Sequence, residues 1–78
     1  MNEEPNLLDD VLALKKKVES LLERLEQVRG DHADELKTSQ CGRALSIAYT
    51  NIEQAGLWLG KTATIRDQEM LAEYERRA

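Results

Sequence analysis

Between Leu7 and Val28 the apolar residues fall at Leu7, Val11, Leu14, Val18, Leu21, Leu25 and Val28, at intervals of 4, 3, 4, 3, 4 and 3. A strand would bring such positions to alternating faces, whereas an α-helix lines them up along one side. Three heptads with one continuous seam commit this segment to lie against another helix. Leu8 and Leu22 widen the stripe on one flank, which predicts packing against more than one neighbour. At 1.5 Å per residue such a helix is roughly 33 Å long. Pro5 suits a helix start, where its missing N–H would be unpaired, and Glu3 and Glu4 suit the positive end of the dipole.

The partner for that seam is the stretch from Arg43 to Ala63, RALSIAYTNIEQAGLWLGKTA. A second seam runs through Leu45, Ala48, Ile52, Ala55 and Leu59, spaced 3, 4, 3 and 4. Between the two lies polar sequence punctuated by Arg29-Gly30-Asp31 and Cys41-Gly42. Gly30 is placed to end the first helix in the left-handed C-cap conformation. Asp31 to Gln40 reads equally as a loop or as a short helical turn capped by Asp31, and His32 within it reads as a surface residue. Thr62-Ala63-Thr64 weakens helix propensity, but strong formers follow to the end of the chain. The expectation is an all-α chain, one hairpin domain over residues 1–78, with a helix at about 6–29, a loop at about 30–42 and an antiparallel helix at about 43–75.

Size and charge narrow the function. Seventy-eight residues make one domain with a small core, and Cys41, the one cysteine, cannot form a disulfide within the chain. Self-association is the expected source of further burial, giving a helical-bundle oligomer. Fifteen carboxylates against eleven Lys and Arg leave the chain acidic, which argues against a sequence-independent grip on duplex nucleic acid. A small anion needs only two or three cations and is not excluded. No apolar run nears the roughly 20 residues that span a bilayer, no signal-peptide pattern opens the chain, and the unpaired thiol fits a cytoplasmic protein.

Catalytic patterns are missing. There is no Ser-His-carboxylate or Cys-His set, no glycine-rich phosphate loop and no metal-ligand spacing. With His32 the one histidine, the chain reads as a non-enzyme without a cofactor. Binding groups are concentrated on the second helix. Arg43 and Lys61 can pair with phosphates, Tyr49 or Trp58 can stack on a base, and Thr50 or Asn51 can read hydrogen-bonding edges. Trp58 also reads as a packing residue with its N–H at the surface. Gly56 and Gly60 sit one turn apart, where glycine costs roughly 1 kcal/mol against alanine. Something therefore approaches the backbone there, either another helix or a flat ligand. Lys15, Lys16 and Lys17 form a solvated face, or supply one cation to a ligand across a subunit contact.

The run Arg43-Ala44-Leu45-Ser46-Ile47-Ala48-Tyr49-Thr50, followed by Ile52, Gln54, Leu57, Leu59 and Lys61, resembles the last helix of the small phage anti-CBASS cyclic-nucleotide sponge proteins, whose hairpin domain is shared with some anti-Thoeris sponges. Ala13-Leu14 followed by Leu21 and Leu25 looks like the helix before it. The likeness covers about half of the chain. It departs from the family pattern at Ala44, where an aromatic stands in the family, at Tyr49 in place of a base, at Ala55-Gly56 in place of Gly-Phe, and at Leu12 in place of lysine. What the resemblance implies is a non-catalytic protein of the host cytoplasm that sequesters a cyclic di- or oligonucleotide, or a related nucleotide signal, between protomers of a homo-oligomer, typically a hexamer. Arg43, Thr50 and Lys61 match the family's polar and basic positions. The heptad seam by itself supports a second function equally: a coiled-coil or four-helix-bundle regulatory module that binds a protein or RNA partner.

Overall fold

The computed structural model describes residues 4–77. The fold is all-α: helix α1 spans Leu7–Asp31, a single turn α2 spans Ala33–Leu36, and helix α3 spans Cys41–Arg77. α1 and α3 pack side by side as an antiparallel hairpin, with overall extents of 62 × 28 × 13 Å.

The ends of the helices have local causes. Asn6 caps α1, its side-chain oxygen accepting from the Asp9 N–H at 3.1 Å, and Asp9 and Asp10 occupy the first turn. Pro5 thus lies just outside the helix rather than in it, and Glu3 falls outside the described residues. At the other end α1 does not stop at Gly30. No described glycine has a positive φ, and the helix runs to Asp31. His32, at φ −114° and ψ 23°, turns the chain, with its N–H donating to the Val28 carbonyl at 3.1 Å. The short turn α2 then forms, with His32 rather than Asp31 at its N-cap position. Ser39 starts α3 by accepting from the Cys41 N–H at 3.0 Å. Cys41 is therefore the exposed first residue of the long helix, near the bend.

Gly42 matters for a different reason than punctuation. A Cβ built on it would come within 2.8 Å of the Leu36 carbonyl oxygen, so its lack of a side chain lets α2 lie against the start of α3. Further along, α3 continues unbroken through Thr62-Ala63-Thr64. The two hydroxyls donate to the carbonyls of Trp58 and Gly60, at 2.8 and 3.1 Å, and Ala63 is buried. Local propensity yields here to a packed alanine and bonded threonines.

The seam inside the hairpin is shifted from the one read off the spacing. Leu7, Leu14 and Leu21 are about half exposed, at 55%, 50% and 49%. The positions turned toward α3 are Leu8, Val11, Lys15, Val18, Leu22, Leu25, Val28 and Arg29. They include the two leucines taken as a flank. On α3 the inward positions are Leu45, Ala48, Ile52, Gly56, Leu59, Gly60 and Ala63, so Gly56 stands where Ala55 was expected. The physical reason lies in the glycines. A Cβ on Gly56 would sit 3.2 Å from Val18 Cγ1, and one on Gly60 would sit 3.7 Å from Lys15 Cε. α1 can approach α3 most closely along this line, and it does so. Val11 and Ala63 are the buried residues of this thin core.

Candidate ligand-binding face

Gly60 decides the local geometry. With no side chain there, Lys15 of α1 lies across the α3 backbone. One residue further along, Lys61 projects from the outer side of α3, and its Nζ stands 4.7 Å from the centroid of the Trp58 ring. That is a cation–π distance, and the ring is 63% exposed. Lys15, Gly60, Lys61, Thr64 and Ile65 line one shallow, solvent-open cleft of about 620 Å³. Lys15 and Lys61 therefore flank one cleft where a carboxylate or phosphate could be held, and the Trp58 ring lies outside that cleft, against Lys61 on the outer face of α3.

The other proposed ligand residues fall into two groups. Arg43, Thr50, Asn51, Trp58 and Lys61 all lie on the side of α3 turned away from α1, and all are exposed. Gln54 belongs to the same side. At 3.6 residues per turn the positions 43, 47, 50, 54, 58, 61 and 65 recur on one face. Thr50 spends its hydroxyl proton on the Ser46 carbonyl at 3.1 Å, leaving the oxygen to accept. Arg43 stands five turns, about 27 Å, from Lys61 on this face, too far for one mononucleotide to touch both on one copy.

Tyr49 belongs elsewhere. It is partly buried at the edge of the hairpin seam, where its hydroxyl donates to Glu26 Oε1 at 3.3 Å. The Arg29 guanidinium lies 5.7 Å from its ring centroid and donates to Ser46 Oγ at 3.1 Å. Desolvation first, then the charge of Glu26, holds the phenol above its ordinary range. This set ties the two long helices together near the bend, with the Arg29 guanidinium beside the Tyr49 ring. A second open cleft beside it, about 660 Å³, is lined by Glu26, Arg29, Gly30, Ala33, Leu36, Lys37 and Gly42. It is larger but poorer for an anion, because Glu26 lines it and Arg29 is already engaged.

The sequence contained a sign of Lys15 that the leucine count passed over. Leu8, Lys15, Leu22 and Arg29 are seven residues apart, and all four face α3. Two long cations in an otherwise apolar heptad position mark where side chains leave the seam at its edges. Among the described residues no group of His, Cys, Asp and Glu is arranged to hold a metal ion, and no helix is long and apolar enough to cross a membrane. His32 is exposed, with Nδ1 3.2 Å from Glu35. No family model, curated protein or solved structure matches this chain.

Proposed function

We propose that this protein is a non-catalytic binder that sequesters a cyclic oligonucleotide or a related nucleotide-derived signal, with the cleft completed by another copy of the chain. The observation that carries the reading is the cleft shared by Lys15 and Lys61 beside Gly60, with the exposed Trp58 ring stacked under Lys61 on the outer face of α3. A nucleotide presents a phosphate and a flat base side by side, and Lys61 with the neighbouring Trp58 ring offers a cation and a flat surface for them, with Lys15 a second cation at the cleft. The resemblance of residues 43–61 to the phage sponge proteins points to the same ligand class. On one hairpin the cleft is open to solvent, so a tight site needs a second surface over it. A sponge works by mass action, removing its ligand from solution, and requires affinity and abundance but no turnover.

The test is a thermal-shift panel of cyclic dinucleotides, cyclic trinucleotides and ADP-ribose derivatives. The expected outcome is a rise in Tm with one of these classes, about 2.7 kcal/mol of added stability at a hundredfold excess over Kd. Lys61→Glu and Trp58→Ala should each abolish the rise while leaving the free protein folded. A flat panel overturns the reading. A second function, a helical module that binds a partner helix, draws on the apolar residues Ile47, Leu57 and Ile65 exposed along α3. That module would leave Tm unchanged across the nucleotide panel.

A further inference from the structure

α1 carries two stripes. One faces α3. The other runs Leu7, Asp10, Leu14, Lys17, Leu21, Arg24, at intervals of 3, 4, 3, 4 and 3, and every residue of it is exposed. Three leucines spaced by seven form its ridge, and none is covered by the hairpin. A solvated helix face has no use for a leucine at every second turn, whereas a helix–helix contact is built from such a row.

Its charges stand outside every ion pair of the hairpin, although Arg24 donates to Gln27 Oε1 at 3.1 Å. Every ion pair among the described residues lies in α2, at its border or in the last third of α3: His32–Glu35, Lys37–Asp34, Arg66–Glu69 and Arg77–Glu73. None involves a side chain of α1. Along the stripe the signs read Asp10, then Lys17, then Arg24, negative first and positive after. Two copies lying parallel in register would set Asp10 on Asp10, Lys17 on Lys17 and Arg24 on Arg24. Antiparallel copies with a two-fold axis near Leu14 meet otherwise. Leu7 then faces the partner's Leu21, Leu14 faces its own counterpart, Asp10 comes beside the partner's Lys17, and Glu4 comes beside the partner's Arg24. An isologous contact makes each of these pairs twice, except Leu14 with its counterpart, which lies on the axis and forms once.

We propose that this stripe is an interface on which a second copy of the chain docks antiparallel, with the leucine ridge as its centre and Asp10–Lys17 pairs on its flank. Charge complementarity selects the second copy and its direction, because the stripe complements itself in one orientation and repels itself in the other. The contact uses α1 and Glu4 just before it, and leaves the outer face of α3 free. It supplies an assembly that the nucleotide reading needs, yet its failure would be separable, since it is measured without ligand.

The experiment is the molar mass of the full chain by sedimentation equilibrium from about 1 to 100 μM, with helicity followed by circular dichroism. The wild-type chain should show at least twice the mass of one chain. Leu14→Asp should lower that mass by half or to a single chain while the helical signal persists. Asp10→Lys should weaken association by roughly tenfold, since two attractive pairs become repulsive. The double variant Asp10→Lys/Lys17→Asp should restore it. A wild-type chain at single-chain mass throughout would overturn the proposal, as would a Leu14→Asp variant of unchanged mass. A double variant no tighter than Asp10→Lys alone would equally refute the antiparallel pairing.

Discussion

At Gly42 a single hydrogen in place of a methyl group holds the bend together. The Leu36 carbonyl is backbone, fixed in α2, so a Cβ at 2.8 Å cannot be accommodated by a side-chain rotation. Gly42→Ala should therefore cost about 1–3 kcal/mol despite its gain in helix propensity, read as a fall in the denaturant midpoint at unchanged slope. Gly30 gives the internal control. A Cβ there meets nothing within 4 Å, so Gly30→Ala inside α1 should stabilise by about 0.5–1 kcal/mol. Tyr49 sets a pH dependence at the same scale. Its phenol is held above 10.0 by desolvation and by Glu26. A group whose folded pKa is raised contributes stability below its unfolded pKa and loses it as pH rises through the folded value. Between pH 9 and 11 the wild-type chain should thus lose more Tm than Tyr49→Phe, and equal losses would show the Tyr49–Glu26 contact to be inert.

At the scale of the helices, the glycines of α3 distinguish two kinds of closeness. Gly56 has Val18 at 3.2 Å from a would-be Cβ, and Gly60 has only the flexible end of Lys15 at 3.7 Å. Gly60→Ala should raise stability by up to about 1 kcal/mol through helix propensity, whereas Gly56→Leu should separate α1 from α3 and lower it by several times that amount. Thermal melts of the two variants beside wild type would check the contrast. Much of the element order was legible beforehand. The 4-3 spacing identified both long helices and their antiparallel pairing, and the polar segment between them was open to a short helical turn. The seam was not legible in full. Leu7, Leu14 and Leu21 fit the heptad as well as Leu8 and Leu22 do, and spacing cannot choose between adjacent stripes that share Val11, Val18 and Leu25. The close approach permitted by Gly56 and Gly60 made the choice. Similarly, Gly30 is a good C-cap residue, yet helix α1 continued past it because residues after it could complete the turn at His32.

The whole molecule is long and thin, and that shape governs its stability. α3 has 37 residues against 25 in α1, and Lys15 lies opposite Gly60, so α3 continues roughly ten residues beyond the start of α1. There Met70, Leu71 and Tyr74 are 41%, 58% and 72% exposed, with the Arg66–Glu69 and Arg77–Glu73 pairs along the outer surface. Removing residues 70–78 should leave the Tm of the single hairpin nearly unchanged while reducing the far-UV helical signal, because residues 70–77 are all exposed. A marked fall in Tm would show that the extension is covered in the assembled protein.

The amino-acid sequence by itself determined that this chain is helical, that it turns back once, and that its aromatic groups all lie on the second helix. Those conclusions rest on periodicity and on residue chemistry, which are local. Tertiary structure decided which stripe of α1 enters the hairpin, which leucines remain outside it, and which polar residues share a surface. It drew Tyr49 into the tie at the bend and brought Lys15 to one cleft with Lys61, a residue more than forty positions away. Such outcomes follow from how closely two backbones can approach, and spacing along one chain does not encode that distance.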